Sequence, residues 1–170
     1  MRESLKKAME KFGGKSVTVV ECGVMTGANA RQMLDNLNVH EMFLVDFWSV
    51  NYRPNAIESL VKACDEFKEN DGVVHIIKMH SQIAACKLDI KADFIYLDSS
   101  HDPEYLYEEM CLWWKRLKAG GILSGHDYDL GQPTSVKAAV ERFCEKNDLC
   151  HTYTGNNDNE TVGDWIIHKD

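Results

Sequence analysis

The stretch Val17-Thr18-Val19-Val20-Glu21-Cys22-Gly23-Val24-Met25-Thr26-Gly27, answered by Phe43-Leu44-Val45-Asp46, constrains the fold more than any other part of this chain. The β-branched apolar run reads as a buried strand, the glycines as a bare-backbone turn, and the residues from Thr26 onward as a helix whose free amides point back into that turn. Glycine at 23 and 27 lets main chain pass close to a ligand without a Cβ clash. A second strand ending in Asp46 sets a carboxylate where it can grip a ribose. Strand, turn, helix, strand, carboxylate is the layout of a nucleoside-cofactor pocket. The spacing narrows it further. A dinucleotide fingerprint wants G-x-G-x-x-G, whereas Glu21-x-Gly23-x-x-x-Gly27 places a carboxylate before the turn. A negative charge there repels a pyrophosphate and suits an ammonium.

The alternation continues along the chain. Strands are expected near 16–21, 41–46, 73–78, 92–97 and 119–124, and helices near 3–12, 27–37, 54–69, 80–86, 103–117 and 134–147. Asp102-Pro103 supplies an N-cap and a proline at the first helical position, and Pro133-Thr134 starts the last helix in a similar way. Two further strand candidates, near 149–154 and 162–168, have no helix between them and are joined by the turn-rich Gly155-Asn156-Asn157-Asp158-Asn159-Glu160, so they read as a β-hairpin. The expectation is an α/β chain: a mostly parallel seven-stranded sheet that ends in an antiparallel hairpin, with helices on both faces. In such sheets ligands lie beyond the carboxyl ends of the strands, where strand order reverses.

At 170 residues and 44% hydrophobic content, the chain fits one core, and 1–170 reads as a single domain with a short N-terminal helix. A formal net charge of −8 and a pI near 5.3 argue against a nucleic-acid partner. No apolar run reaches signal-peptide or membrane-span length, which points to a cytoplasmic protein with no membrane partner. The six cysteines form no C-x-x-C pair and are expected as reduced, buried thiols rather than a zinc site.

Glu21-Cys22-Gly23-Val24-Met25-Thr26-Gly27 resembles the first motif of class I S-adenosylmethionine-dependent methyltransferases, with Asp46 standing where that family keeps its ribose-binding acid. A second block runs Ala92-Asp93-Phe94-Ile95-Tyr96-Leu97-Asp98-Ser99-Ser100-His101, then Leu112-Trp113-Trp114-Lys115-Arg116-Leu117-Lys118-Ala119-Gly120-Gly121-Ile122-Leu123-Ser124-Gly125-His126-Asp127-Tyr128. It is similar to the small-molecule O-methyltransferase branch, including catechol and macrocin O-methyltransferases, and the likeness extends from about Val17 to about Cys144. The resemblance implies a Rossmann-like three-layer sandwich, S-adenosylmethionine as cofactor, and transfer to an oxygen, less readily a nitrogen, of a small-molecule acceptor. On this reading Glu21 accepts from the methionyl ammonium, directly or through water. Gly23 and Gly27 give clearance, Asp46 takes both ribose hydroxyls, His80 and Ser81 stand at the adenine position, and Asp98 closes the fourth strand against the cofactor. An ordinary tight turn at Gly23, a capping Asp46 and a capping Ser81 stay open as alternatives, and Phe47 and Trp48 either flank the adenine or fill the core.

The resemblance also implies a metal. Asp98, His126 and Asp127 match the positions where catechol-type relatives hold magnesium against the acceptor's adjacent oxygens. His126 departs from the pattern: magnesium prefers an all-oxygen shell, whereas imidazole suits transition metals. The options are magnesium, a transition metal, or no ion, with His126 and Asp127 satisfying local hydrogen bonds instead. His101 lies three residues after Asp98, where the relatives carry a lysine base, and an imidazole can take a proton at neutral pH. Of Trp113 and Trp114, the one at helical spacing with Met110 and Leu117 reads as core, while Tyr105, Tyr107 and Tyr128 are candidates to line a substrate pocket, the first two reading equally well as packing aromatics. Only about fifteen residues precede the first strand, so acceptor selectivity comes from loops or from a neighbouring subunit of a homo-oligomer. The rival readings are a cofactor-binding or regulatory module without turnover and, disfavoured by the glycine spacing and the hairpin, an NAD-dependent oxidoreductase.

Overall fold

Val17 to Cys22 is buried at every position, as a strand covered on both faces must be. The computed structural model describes residues 1–128, 135–154 and 163–170. In chain order the elements are α1 (Glu3–Phe12), β1 (Val17–Cys22), α2 (Ala28–Asn36), β2 (Val39–Asp46), α3 (Ala56–Phe67), β3 (Val74–Lys78), α4 (Ser81–Lys87), β4 (Ala92–Leu97), α5 (Pro103–Trp114), β5 (Leu117–Gly125), α6 (Val136–Asn147), β6 (His151–Thr154) and β7 (Asp164–His168). One 3₁₀ turn, Lys68–Asn70, extends α3. The strands form a single sheet in the order β3-β2-β1-β4-β5-β7-β6. The first five are parallel, and β7 runs antiparallel to both β5 and β6. The expected Rossmann-like sheet with a terminal antiparallel hairpin is therefore present. The Pro133-Thr134 start and the 155–160 turn lie outside the described residues.

Alternation along the strands sorts the core into two layers. Val19, Met42, Leu44, Phe94, Tyr96, Ile122 and Ile166 pack with α1, α2 and α3 on one face. Val20, Val45, Ile95, Leu97, Leu123 and Ile167 pack with α4, α5 and α6 on the other. α5 begins as its sequence suggests: Asp102 caps it by accepting from the Tyr105 amide at 2.8 Å, worth about 1 kcal/mol, and Pro103 follows. That helix stops at Trp114, short of the expected 117, because Leu117 is already a strand residue paired with Ala92. β5 thus starts at Leu117, ahead of the expected 119. The cysteines are free, but Cys64, Cys86 and Cys150 are exposed, correcting the expectation of buried thiols. An exposed side chain on a half-buried helix such as α3 or α4 needs only the outer face, and a thiol is small enough to sit there. Among the described residues, no helix is long and apolar enough to cross a membrane.

The chain runs β1 to β3 outward on one side, then returns to lay β4 and β5 on the other, so strand order reverses between β1 and β4. The carboxyl ends of β1, β2, β4 and β5 carry Glu21, Asp46, Asp98 and the pair His126-Asp127, all at one edge of the sheet.

Candidate active site

A cavity of about 400 Å³ opens at this edge, bordered by Gly23 and Met25 after β1, by Asp46 to Ser49 with Tyr52 and Arg53 at the end of β2 and beyond, by Met79 to Ser81 after β3, and by Asp98 to His101 with Tyr105 after β4. Its walls are partly set by strained backbone. Met25 and Trp48 both have positive φ, 56° and 40°, a conformation that costs a bulky residue on the order of 1–3 kcal/mol and is held here by neighbours. The Trp48 Nε1–H donates to the Met25 carbonyl at 2.9 Å.

Asp46 sits at the hub of that arrangement. Its Oδ2 accepts from the Val24 amide at 3.0 Å and the Met25 amide at 2.9 Å, and its Oδ1 accepts from the Trp48 amide at 2.9 Å. The carboxylate therefore shapes the glycine turn as well as facing the cavity, with lone pairs to spare on both oxygens. Gly23, φ +89°, is required by the protein itself, since a Cβ there would lie 2.0 Å from the Asp98 carbonyl oxygen. At Gly27, also φ +89°, a Cβ would lie 2.6 Å from the Phe67 ring. Clearance between protein segments, not only room for a ligand, is what these glycines provide.

Glu21 is fully enclosed. Asn29 donates to its Oε1 at 2.7 Å, while Oε2 is buried with no partner. Burial pushes its carboxyl up to about 8, against the pull of the Asn29 hydrogen bond, and Asp98 adds to the rise. A buried carboxyl oxygen without a partner beside a glycine turn is costly to leave unsatisfied, and an ammonium would satisfy it once the carboxyl gives up its proton.

On the β3 side, His80 stacks on Phe47 with centroids 3.7 Å apart, making a flat, half-exposed wall. Ser81 is buried, and its Oγ accepts from the Trp113 Nε1–H at 2.8 Å, so it is tied into the core and does not cap α4 with its side chain. Trp48 is buried and Phe47 is partly exposed.

At the far end, Asp98, His101 and Asp127 each bring one potential ligand atom to within 4.8 Å of the others. His101 Nε2 pairs with Asp127 Oδ2 at 2.6 Å. His126 is not one of these three, but it reaches the same carboxylate, directing Nδ1 to Asp127 Oδ1 at 2.9 Å. The fold thus brings His101, rather than His126, together with the two aspartates, because β5 ends at Gly125 and Asp127 turns through a left-handed φ of 62°. The Asp127 carboxyl is held below its usual range, chiefly by the His126 hydrogen bond, with both histidines adding to it. His126 is raised: burial opposes its charge, but the hydrogen bond to Asp127 and the nearby aspartates outweigh that. Burial raises Asp98, and Arg2 pulls it back, with Nη2 at 3.4 Å from Oδ2. Arg2 itself reaches across to Asp164, which also accepts from the Ser4 amide at 3.1 Å and from Tyr96 Oη at 2.9 Å.

Of the three tyrosines, Tyr105 borders the cavity, while Tyr107 packs on Phe143 and Tyr128 on His151 and Tyr153. One group escaped the sequence reading: Glu109, fully buried on α5, accepts from the Ser99 hydroxyl at 2.8 and 2.7 Å. The available signal was a carboxylate on the apolar face formed by Leu106, Met110 and Trp113, at helical spacing.

A family model described as a methyltransferase domain matches residues 20–128. No curated protein sequence matches the chain. Among solved structures, a candidate rRNA methylase from Clostridium thermocellum superposes with a TM-score of 0.72 at 18% identity, covering 100% of this chain and 99% of its own. A candidate methyltransferase from Streptococcus mutans, solved with S-adenosylhomocysteine, gives 0.73 at 16% identity, with 99% of each chain covered. A precorrin-6y C5,15-methyltransferase from Geobacter metallireducens gives 0.72 at 14% identity, covering 98% of this chain and 87% of its own. At these identities the structural likeness speaks for the fold alone.

Proposed function

The chain belongs to the methyltransferase-domain family and has the class I S-adenosylmethionine-dependent methyltransferase fold, and from that premise we propose that it moves the cofactor's methyl group to an oxygen of a small-molecule acceptor. The observation that carries the cofactor reading is Glu21 Oε2, buried and unpartnered behind the glycine turn. The methionyl ammonium is the cation that fits, Asp46 faces the ribose, and the Phe47–His80 stack with Ser81 behind it receives the adenine. Gly23 and Gly27 hold the turn, and Asp98 stands between cofactor and acceptor. Methyl transfer is a displacement at an already activated carbon, so the protein's work is chiefly alignment and exclusion of water.

Asp98 and His101 engage the acceptor, with Asp127 orienting the His101 ring as a general base. A divalent ion is the second reading, favoured by the three convergent donor atoms. Asp98, His101 and Asp127 would hold it, and His126 would orient Asp127. Two carboxylates and an imidazole suit a transition metal better than magnesium. Such an ion would lower the acceptor hydroxyl pKa and template its oxygens.

We take 1–170 as one catalytic domain with a short N-terminal helix. Six free thiols agree with a reducing cytoplasmic setting, and a second subunit is a candidate contributor to acceptor selectivity. The net charge of −8 favours a small acceptor over RNA, although an rRNA methylase is among the similar structures, so RNA belongs in the assay. The test is transfer of labelled methyl to a panel of catechols, phenols, sugars, amines and an rRNA fragment, with and without chelator. Labelled oxygen on a small acceptor supports the proposal. Binding of S-adenosylmethionine with no transfer to any class leaves a binding module, and labelled RNA overturns the acceptor assignment. Loss of activity on chelation, restored by zinc or manganese, selects the second reading.

A further inference from the structure

The reaction proposed above releases a proton from the acceptor, and the structure holds a second destination for it besides His101. Paired through Nε2 with Asp127, His101 can take that proton only at Nδ1, and in the metal reading the imidazole is a ligand with no free role as a base. Ser99 is exposed and borders the cavity one residue beyond Asp98, and its Oγ donates to both carboxylate oxygens of Glu109, at 2.8 and 2.7 Å. We propose that Ser99 and Glu109 form a proton path off the cavity, with Ser99 touching the acceptor and Glu109 receiving the proton behind it. This rests on the methyltransferase reading and deepens it.

The surroundings of Glu109 suit that use. It is 0% exposed, on the inner face of α5. Facing it are the Ser81 hydroxyl from α4, the Cys22 thiol from β1 and the Tyr105 phenol one turn earlier on α5. Burial pushes its carboxyl up to about 7, with hydrogen bonds from Ser81 and Ser99 pulling it part of the way back. A carboxylate that exchanges its proton near neutrality is a far stronger base than an exposed glutamate. The step balances. As the acceptor's oxygen–hydrogen bond breaks, its proton passes to Ser99 Oγ while the Ser99 hydroxyl proton passes to Glu109. The acceptor's electron pair forms the new bond to the methyl carbon, and the carbon–sulfur pair returns to sulfur, leaving a neutral thioether. Glu109 ends as a neutral acid and is recharged through Ser99 and the open cavity.

Glu109→Gln keeps the shape and removes the acceptor. With catechol as the acceptor probe, we expect kcat to fall about a hundredfold and its rise between about pH 6 and 8 to vanish, while the Kd for S-adenosylmethionine stays within about twofold. Ser99→Ala, at an exposed position, reproduces the loss. Infrared titration requires no acceptor: the Glu109 carboxyl band, assigned by its response to Ser99→Ala, titrates near pH 7. A Glu109→Gln protein with wild-type kcat and pH profile, or a band in one protonation state from about pH 5 to 9, overturns the path alone. Wild-type protein that fails to bind S-adenosylmethionine overturns the parent reading and the path with it.

Discussion

Glu21 is where burial and charge conflict most directly. Its carboxyl rests near 8 in the folded chain, against 4.5 ordinarily, with burial the main cause. The folded state therefore holds this proton more tightly than the unfolded chain does. The stabilisation is fully present below pH 4.5 and is lost as pH rises through 8, on the order of 5 kcal/mol from this group. Glu21→Gln has no such slope. Urea midpoints of the two proteins should diverge in favour of the Gln variant between pH 5 and pH 8, and a constant gap would contradict the assignment. The two glycines separate in the same assay. Gly23→Ala drives a Cβ into backbone at 2.0 Å, where nothing flexible can give, and should cost more than about 3 kcal/mol or prevent folding. Gly27→Ala meets a rotatable ring and should cost about 1–2 kcal/mol, mainly for its positive φ. The places of Glu21, Gly23 and Asp46 at strand ends and in the turn were legible because one short motif holds the first two and a strand end the third. Glu109 was not, because a lone glutamate in a helix reads as solvated until the fold shows which face is inward.

α1 is fastened to the far end of the chain. Asp164, at the start of β7, accepts from the Ser4 amide and hydroxyl and from Tyr96, and pairs with Arg2, which also faces Asp98. Removing that acceptor leaves several buried donors unsatisfied, so Asp164→Ala should cost about 3 kcal/mol and speed amide exchange across α1 more than across α5. Unchanged exchange in α1 would show that its apolar face alone holds it. This link could not be read in advance, since a hydrogen bond spanning 160 positions has no local signature. The parallel strands could be, because each is an apolar run bounded by turn residues. The same logic misplaced the junction of α5 and β5, because Leu117, expected as the last residue of the helix, already begins a strand that pairs with β4. The convergence of His101 rather than His126 on the aspartates depends on the turn after β5, and side-chain direction in such a turn is invisible to spacing.

At the scale of the molecule, sheet order gathers four acidic strand ends and one cavity at a single edge, in a chain of net charge −8. An acidic edge is a poor surface for a polyanion and a good one for a sulfonium amino acid. On the function proposed above, Glu21 receives the ammonium of S-adenosylmethionine as a carboxylate. Since that carboxyl carries its proton at neutral pH in the free protein, binding must expel it. Calorimetric titration with S-adenosylmethionine at pH 7, in two buffers of different ionisation enthalpy, tests this most directly. One site is expected, with close to one proton released per cofactor bound and loss of that proton in Glu21→Gln. Binding without proton release, or binding of NADH in place of S-adenosylmethionine, would contradict it.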